Sequence, residues 1–248
     1  MNDGDNRRMK DRYRLLAPLL LCVLFAASGA QAHDLWLERD ASGGEIALQQ
    51  GHRSKAHAGD EHVAYAPGFV RQANCHDEQG RSRRLAPASA YPTRFPAGCA
   101  ALLVFASSGY WTKTAWETKN VPKTEVAGVL RSWRADETIK RLDRWTPALA
   151  APLSTGLEIT PVDDPFAVKV GDKLRVKVTQ GDKSRAGVPV AYDGATRGVT
   201  GDDGTIVLRL RHGGLQMIAA SIETPLSDGK ADLLIESTTL NFEVTEKR

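Results

Sequence analysis

The chain has little cysteine, little excess charge and no apolar run long enough to cross a bilayer. Its 248 residues include three cysteines, and its formal net charge is +3. The most apolar stretch, residues 15–27, is about 13 residues long, whereas a membrane-spanning helix needs about 20. Most of the net charge lies in residues 1–32. The remainder gives no electrostatic reason to expect nucleic acid or an anionic membrane as a partner.

Residues 1–32 have the layout of a secretory signal peptide. Basic residues precede the apolar run, which ends in Ala30-Gln31-Ala32, a small-x-small pattern that signal peptidases accept. We therefore expect cleavage after Ala32 and export to a bacterial periplasm. The mature protein is expected to be soluble and to lack a transmembrane segment.

Two cysteines remain after the expected cleavage. Cys75 and Cys99 would then be an even pair in an oxidising compartment, where paired cysteines usually form a disulfide. The alternative of a soft metal site needs more ligands than two thiolates. The sequence therefore predicts a disulfide between Cys75 and Cys99.

Polar and apolar residues alternate over much of the rest of the chain, which is typical of half-buried β-strands. We predict a mainly β protein with two β-sandwich domains of immunoglobulin-like or prealbumin-like type, at residues 33–122 and 156–248. Residues 123–155 carry apolar side chains at spacings of three and four, which predicts a short helical segment between the domains. Pro147 and Pro152 would end it.

The histidines lie mostly near the expected mature N-terminus. Cleavage after Ala32 would give His33 a free α-amine, and this amine and the imidazole can chelate one ion because both lose a proton near neutral pH. His52, His57 and His62 follow at intervals of five residues in a polar segment with glycines. The sequence therefore predicts a transition-metal site formed by His33, His52, His57 and His62.

Acidic residues beside these histidines are candidates for orienting the rings from outside the coordination sphere: Asp34, Asp60 and Glu61. His52 ends a predicted strand and can lie beside His33, since neighbouring strands are about 5 Å apart. The sequence contains no Gly-rich phosphate loop, no Gly-x-Ser-x-Gly motif and no paired-carboxylate motif. We therefore predict no catalytic residues and a binding protein rather than an enzyme.

Four short motifs carry a resemblance to a known family: HDLWLE at residues 33–38, Gly51-His52, Tyr65-x-Pro67 and Asp77-x-x-Gly80. With them the chain resembles exported bacterial proteins of unassigned domain that are described as nickel-transport-complex proteins. It is similar to the periplasmic accessory component of energy-coupling-factor nickel and cobalt transporters. The resemblance implies metal uptake, with nickel or cobalt as the favoured ion and inner-membrane metal transporter components as partners. The membrane subunit of such transporters holds nickel with an N-terminal amine and a nearby histidine, which suggests the same role for His33 by analogy.

Two other functions remain open from the sequence. Copper-dependent polysaccharide oxygenases also hold their metal with an N-terminal histidine and a second histidine in a secreted β-sandwich. A sugar-binding surface would need exposed aromatic residues, but we predict core positions for the scattered tryptophans Trp111, Trp116, Trp133 and Trp145. The remaining alternative is a two-domain interaction module whose histidines bind no metal.

Overall fold

A computed structural model describes residues 34–53, 61–86 and 90–245, and within these ranges the chain is mainly β-strand with two short 3-10 helices, Lys123–Glu125 and Pro147–Ala150. In chain order the strands are β1 (Asp34–Arg39), β2 (Glu45–His52), β3 (Glu61–His62), β4 (Val70–His76), β5 (Ser82–Leu85), β6 (Thr93–Pro96), β7 (Ala101–Lys113), β8 (Thr118–Lys119), β9 (Arg131–Leu142), β10 (Leu157–Pro161), β11 (Lys173–Gln180), β12 (Lys183–Ser184), β13 (Pro189–Tyr192), β14 (Ala195–Val199), β15 (Thr205–Arg209), β16 (Gly214–Pro225) and β17 (Leu233–Val244). The prediction of a mainly β protein is confirmed. No helix in the described part of the chain is long and apolar enough to span a membrane.

These strands form three sheets. A central sheet has the order β14-β13-β16-β17-β9-β7-β4-β5, with β8 paired to β7. The N-terminal sheet consists of β1, β2, β3 and β6, and the C-terminal sheet of β10, β11, β12 and β15. Strands from both halves of the chain meet in the central sheet, where β9 and β17 are parallel. Two separate sandwich domains at residues 33–122 and 156–248 are therefore not confirmed.

The two smaller sheets cover opposite faces of the central sheet. On β9, Ile139 packs in a core with β1 and β2, whereas Leu142 packs in a core with β10 and β11. Alternate residues of a strand point to opposite faces, so Ile139 and Leu142 mark the two sides. Each face of β9 is thus buried by a different sheet.

The predicted helical segment at residues 123–155 is wrong. Its central part, Arg131–Leu142, is the strand β9, paired with β7 on one side and β17 on the other. The spacing of three and four between apolar residues gave a wrong prediction because this strand is buried on both faces and contains buried charged residues. Lys140 and Arg141 are both buried there, one on each face, and ion pairs satisfy them. Tertiary partners therefore overrode the local periodicity.

The predicted disulfide is confirmed. Cys75 at the end of β4 is bonded to Cys99, two residues before β7, with an S–S distance of 2.04 Å. Its loop has a sequence separation of 24 residues. In the chain-entropy description, closing a loop of this length stabilises the fold by about 3 kcal/mol.

Candidate metal centre

Side-chain contacts hold strand β1 against the central sheet at the edge of β1 that does not pair with β2. Arg39 forms an ion pair with Asp143 at 2.6 Å, and Arg141 Nη1 donates a hydrogen bond to the Leu37 carbonyl at 3.1 Å. The Asn241 side-chain oxygen accepts a hydrogen bond from Leu37 N at 2.9 Å. Both arginine contacts join residues 104 apart in sequence. Strands β1 and β9 therefore run in the same direction with that offset.

The start of β1 lies at the open end of the N-terminal sheet. Asp34 pairs with Gly51 of β2, and Gly51 pairs on its other side with His62 of β3. One step further, His52 pairs with Glu61. Gly51 has a φ of 152°, and a Cβ at this position would overlap the carbonyl of Glu61. Only glycine lets β3 approach β2 this closely.

His52 and His62 belong to opposite faces of this sheet. Residues paired across antiparallel strands share a face, and the face changes with each step along the strand. His62 lies on the Trp36 face, and the two ring centroids are 5.6 Å apart. His52 belongs to the other face, which it shares with Leu48, four residues earlier on β2. The two histidines therefore do not converge from a common surface.

The face that carries His52 closes over β9 in layers two residues apart. The β1–β2 register and the offset between β1 and β9 define the first two layers: Leu37, Leu48 and Arg141, then Leu35, Gln50 and Ile139. Glu137 follows the same alternation on β9, two residues before Ile139. The apolar side chains of the first two layers pack in one core with Ala106, which pairs with Glu137 on β7.

Glu137 is an acidic residue on the same face of β9 as Ile139. Burial, together with the negative charges of Asp136 and Asp34, raises the pKa of Glu137 to about 7. Asp136 has its own cation, because Arg134 donates two hydrogen bonds to it. Among the described residues, no hydrogen bond or ion pair reaches the Glu137 carboxylate. Sequence reasoning missed Glu137 because the segment containing it was predicted to be helical.

The predicted site residues thus have different outcomes. His33, His57 and Asp60 lie outside the described residues. Asp34, His52, Glu61 and His62 are placed at the same end of the N-terminal sheet, on the two faces described above. Within residues 34–53, 61–86 and 90–245, no group of three or more His, Cys, Asp or Glu side chains is arranged to hold a metal ion.

The tryptophans differ in their environments. Trp116 is 94 % exposed in the turn after β7, so its predicted core position is wrong. Trp145 packs against the core under the C-terminal sheet. Trp111 and Trp133 form a cross-strand pair with ring centroids 6.4 Å apart, and both are partly exposed. Trp133 shares its face of β9 with Glu137, four residues along the strand.

A family model described as "Domain of unknown function (DUF4198)" matches residues 30–224. The chain belongs to this family. The description states no activity, cofactor or partner, and it contains nothing that ties the family to nickel. The match includes the end of the predicted signal peptide, the start of β1 and the whole candidate metal centre.

The other comparisons add little. No curated protein matches the chain. Among solved structures, the chain is similar to the fibronectin(III)-like modules of Clostridium thermocellum CbhA at 12 % identity and a TM-score of 0.23, covering 82 % of this chain and 87 % of that one. It is also similar to the D0-D1 domain of intimin at 13 % identity and a TM-score of 0.22, covering 85 % and 97 %. TM-scores this low carry no structural or functional argument.

Proposed function

We propose that this protein is a periplasmic binding component that captures a divalent transition ion, with nickel or cobalt favoured, and passes it to an inner-membrane metal transporter. The ion is held by the α-amine and imidazole of His33 together with the imidazole of His52. The protein acts by binding and release, without a catalytic step. This proposal also assigns residues 1–32 as a signal peptide that is removed on export.

The register of the N-terminal sheet is the observation that supports this proposal. The last described pair of the β1–β2 ladder is Asp34 with Gly51. An antiparallel ladder advances by one residue on each strand. We propose that the pairing continues by one residue, so that His33 lies opposite His52. Paired Cβ atoms are about 5 Å apart, which suits two imidazoles that share one ion.

His62 is less suited to this site than the sequence suggested. It belongs to the Trp36 face, where its ring contacts Trp36. His57 stays a prediction because it lies outside the described residues. We therefore propose His52 as the partner of His33, and we keep His57 as a predicted further ligand.

The experiment uses the mature protein beginning at His33, with its N-terminus checked by mass spectrometry. Affinities for Ni²⁺, Co²⁺, Cu²⁺ and Zn²⁺ are measured by competition with a coloured chelator. Adding one alanine before His33, or replacing His52 with alanine, should weaken binding at least about tenfold, since each change removes a ligand. Binding should also weaken below about pH 6.5, because ligand histidines must be neutral.

The matched control is His62→Ala, which removes an imidazole from the opposite face at the same end of the sheet. It should leave the affinity within about twofold of the parent. Equal losses from His52→Ala and His62→Ala would move the site away from the proposed face. A mature protein without measurable affinity for any of the four ions would refute the proposal and favour the interaction module.

A copper-dependent oxygenase is the second candidate, and one observation favours it. Trp111 and Trp133 form a partly exposed aromatic pair on the face of the central sheet that carries Glu137. Aromatic rings of this kind can bind sugar rings by stacking. Copper-loaded protein that consumes ascorbate and cleaves a polysaccharide would establish this activity, and the Trp133→Ala variant should then lose polysaccharide binding.

A further inference from the structure

One end of the central sheet has a face that is open to solvent and carries two tryptophans. Alternate residues of a strand share a face, so Arg131 and Trp133 lie on one side of β9. Trp133 pairs with Trp111 of β7 and with Leu233 of β17, and paired residues lie side by side on one face. Arg131 is exposed and the other three are partly exposed. We call this surface the tryptophan face.

The two indole rings on this face are nearly parallel. Their planes differ by 10°, and their centroids are 6.4 Å apart. A ring stacked squarely on another would lie about 3.5–4.0 Å away, so these two rings do not cover each other. Trp111 Nε1 donates a hydrogen bond to Ser108 Oγ at 2.9 Å, which fixes the orientation of its ring. Rings held on paired strands need little ordering when a ligand binds, which lowers the entropic cost of binding.

Polar groups border the two rings. The guanidinium of Arg131 lies 5.6 Å from the centroid of the Trp133 ring and forms an ion pair with Glu223 of β16. This pair offers hydrogen-bond donors and acceptors without adding net charge to the face. Lys113, which pairs with Arg131 across β7 and β9, adds one amine at the end of the face.

This combination suits a sugar ring better than a protein partner. One side of a pyranose ring presents C–H groups that can stack on an aromatic ring, and its hydroxyl groups can bind a guanidinium or a carboxylate. Charged residues are depleted from the centre of protein–protein interfaces, whereas the Arg131–Glu223 pair reaches from β9 to β16 across the intervening strand β17. Ser221 and Ser237, linked by a hydrogen bond of 3.0 Å, add hydroxyl groups.

We propose that the tryptophan face binds a neutral polysaccharide. Trp111 and Trp133 stack against its sugar rings, and Arg131 and Glu223 bind its hydroxyl groups. The binding is non-covalent and needs no metal ion. It therefore goes beyond the proposed metal-binding function and does not depend on it, and it requires no oxygenase activity.

The test titrates the mature protein with cellohexaose and with chitohexaose in the presence of EDTA, and calorimetry measures the affinity. Binding of either neutral hexasaccharide is the expected result. Trp133→Ala should then lower the affinity at least about tenfold, because it removes a stacking surface. Trp133→Phe keeps an aromatic ring and should stay within about threefold of the parent. The matched control is Trp116→Ala, which removes an indole that is 94 % exposed in the turn after β7 and lies outside the pair. It should change the affinity less than about twofold.

Several results would overturn the inference. These are binding of neither hexasaccharide, binding only of an acidic glycan such as hyaluronate, and equal losses in Trp116→Ala and Trp133→Ala. Sedimentation tests another occupant of the face: a dimer that Trp133→Ala dissociates would make the face an interface between two copies of the chain.

A second variant keeps the test decisive if Trp133→Ala does not fold. Arg131 and Glu223 form an exposed ion pair, and such pairs contribute little to stability. Arg131→Gln should therefore keep the parent's melting temperature and weaken glycan binding at least about threefold, and an unchanged affinity would refute the assignment. Because EDTA removes metal ions, none of these results bears on the proposed metal site.

Discussion

Replacing Lys140 with methionine should lower the free energy of unfolding by about 3–5 kcal/mol, because it breaks a fully buried ion pair. Lys140 Nζ lies 2.6 Å from Glu158 Oε1 and 3.0 Å from Thr160 Oγ1, and the side chains of Lys140 and Glu158 are both 0 % exposed. Removing one partner leaves the other charge buried without compensation, which costs about 3–5 kcal/mol.

The surroundings of Glu158 explain why the cost is high. Its carboxylate also accepts hydrogen bonds from Leu153 N, Ser154 N and Ser154 Oγ. Burial by itself would raise the pKa of Glu158, but Lys140 and these donors outweigh it and lower the pKa. In Lys140→Met the hydrogen bonds remain, whereas the opposite charge is lost. Glu158 can then escape the cost only by taking up a proton.

This reasoning fixes the pH dependence of the effect. A carboxylate with a lowered pKa in the folded state stabilises the fold above its unfolded pKa of about 4.3, and this contribution is lost as the pH falls. The difference between parent and Lys140→Met should therefore be largest near pH 7–8 and should shrink towards pH 4.

The assay is urea-induced unfolding, followed by tryptophan fluorescence, together with thermal unfolding. For a chain of this size, 3–5 kcal/mol corresponds to a melting temperature lower by about 10 °C. The double variant Lys140→Met with Glu158→Gln removes both charges while keeping an acceptor for the Leu153 and Ser154 donors. It should be more stable than the sum of the two single changes predicts.

Lys123 provides the matched control. It forms an ion pair with Asp232 in which the two side chains are 31 % and 56 % exposed. Exposed pairs contribute about 0–1 kcal/mol, so Lys123→Met should have little effect. A loss below about 1 kcal/mol in Lys140→Met, or strict additivity in the double variant, would show that the buried pair does not act as argued.

Two further predictions concern the disulfide and Glu137. Replacing both Cys75 and Cys99 with serine should lower the free energy of unfolding by about 3 kcal/mol, measured by urea unfolding; an unchanged midpoint in the double variant would contradict this. Burial, together with the negative charges of Asp136 and Asp34, raises the pKa of Glu137 to about 7. The folded state therefore holds a proton that the unfolded state has released between about pH 4.5 and 7, and stability falls across this window. With a chelator present, Glu137→Gln should therefore be more stable than the parent by up to about 3 kcal/mol at pH 8 and equal to it at pH 4. If the parent loses no stability relative to the variant from pH 4.5 to 7, the pKa of Glu137 is not raised.

Part of the candidate site could be read from the sequence. The Gly51-His52 pair and the strand that begins at Asp34 are local features, and their adjacency in the N-terminal sheet matches the expectation that His52 lies beside the first strand. The separation of His52 from His62 could not be read in this way. It depends on how β3 pairs with β2, and a shift of one residue would reverse the faces.

Local sequence was sufficient for the mainly β character and for the disulfide. The alternation of polar and apolar residues that predicts a strand is visible in a few consecutive residues. Only two cysteines follow residue 32, so they allow a single disulfide pairing. Only the tertiary structure decided that Arg131–Leu142 is a strand and that Glu137 lies on its Ile139 face. These properties arise from contacts of β9 with β7, β17 and β1, the last across 104 residues. The residues next to β9 along the chain do not reveal which distant strands it contacts. Those partners are selected by packing between strands and not by local propensity.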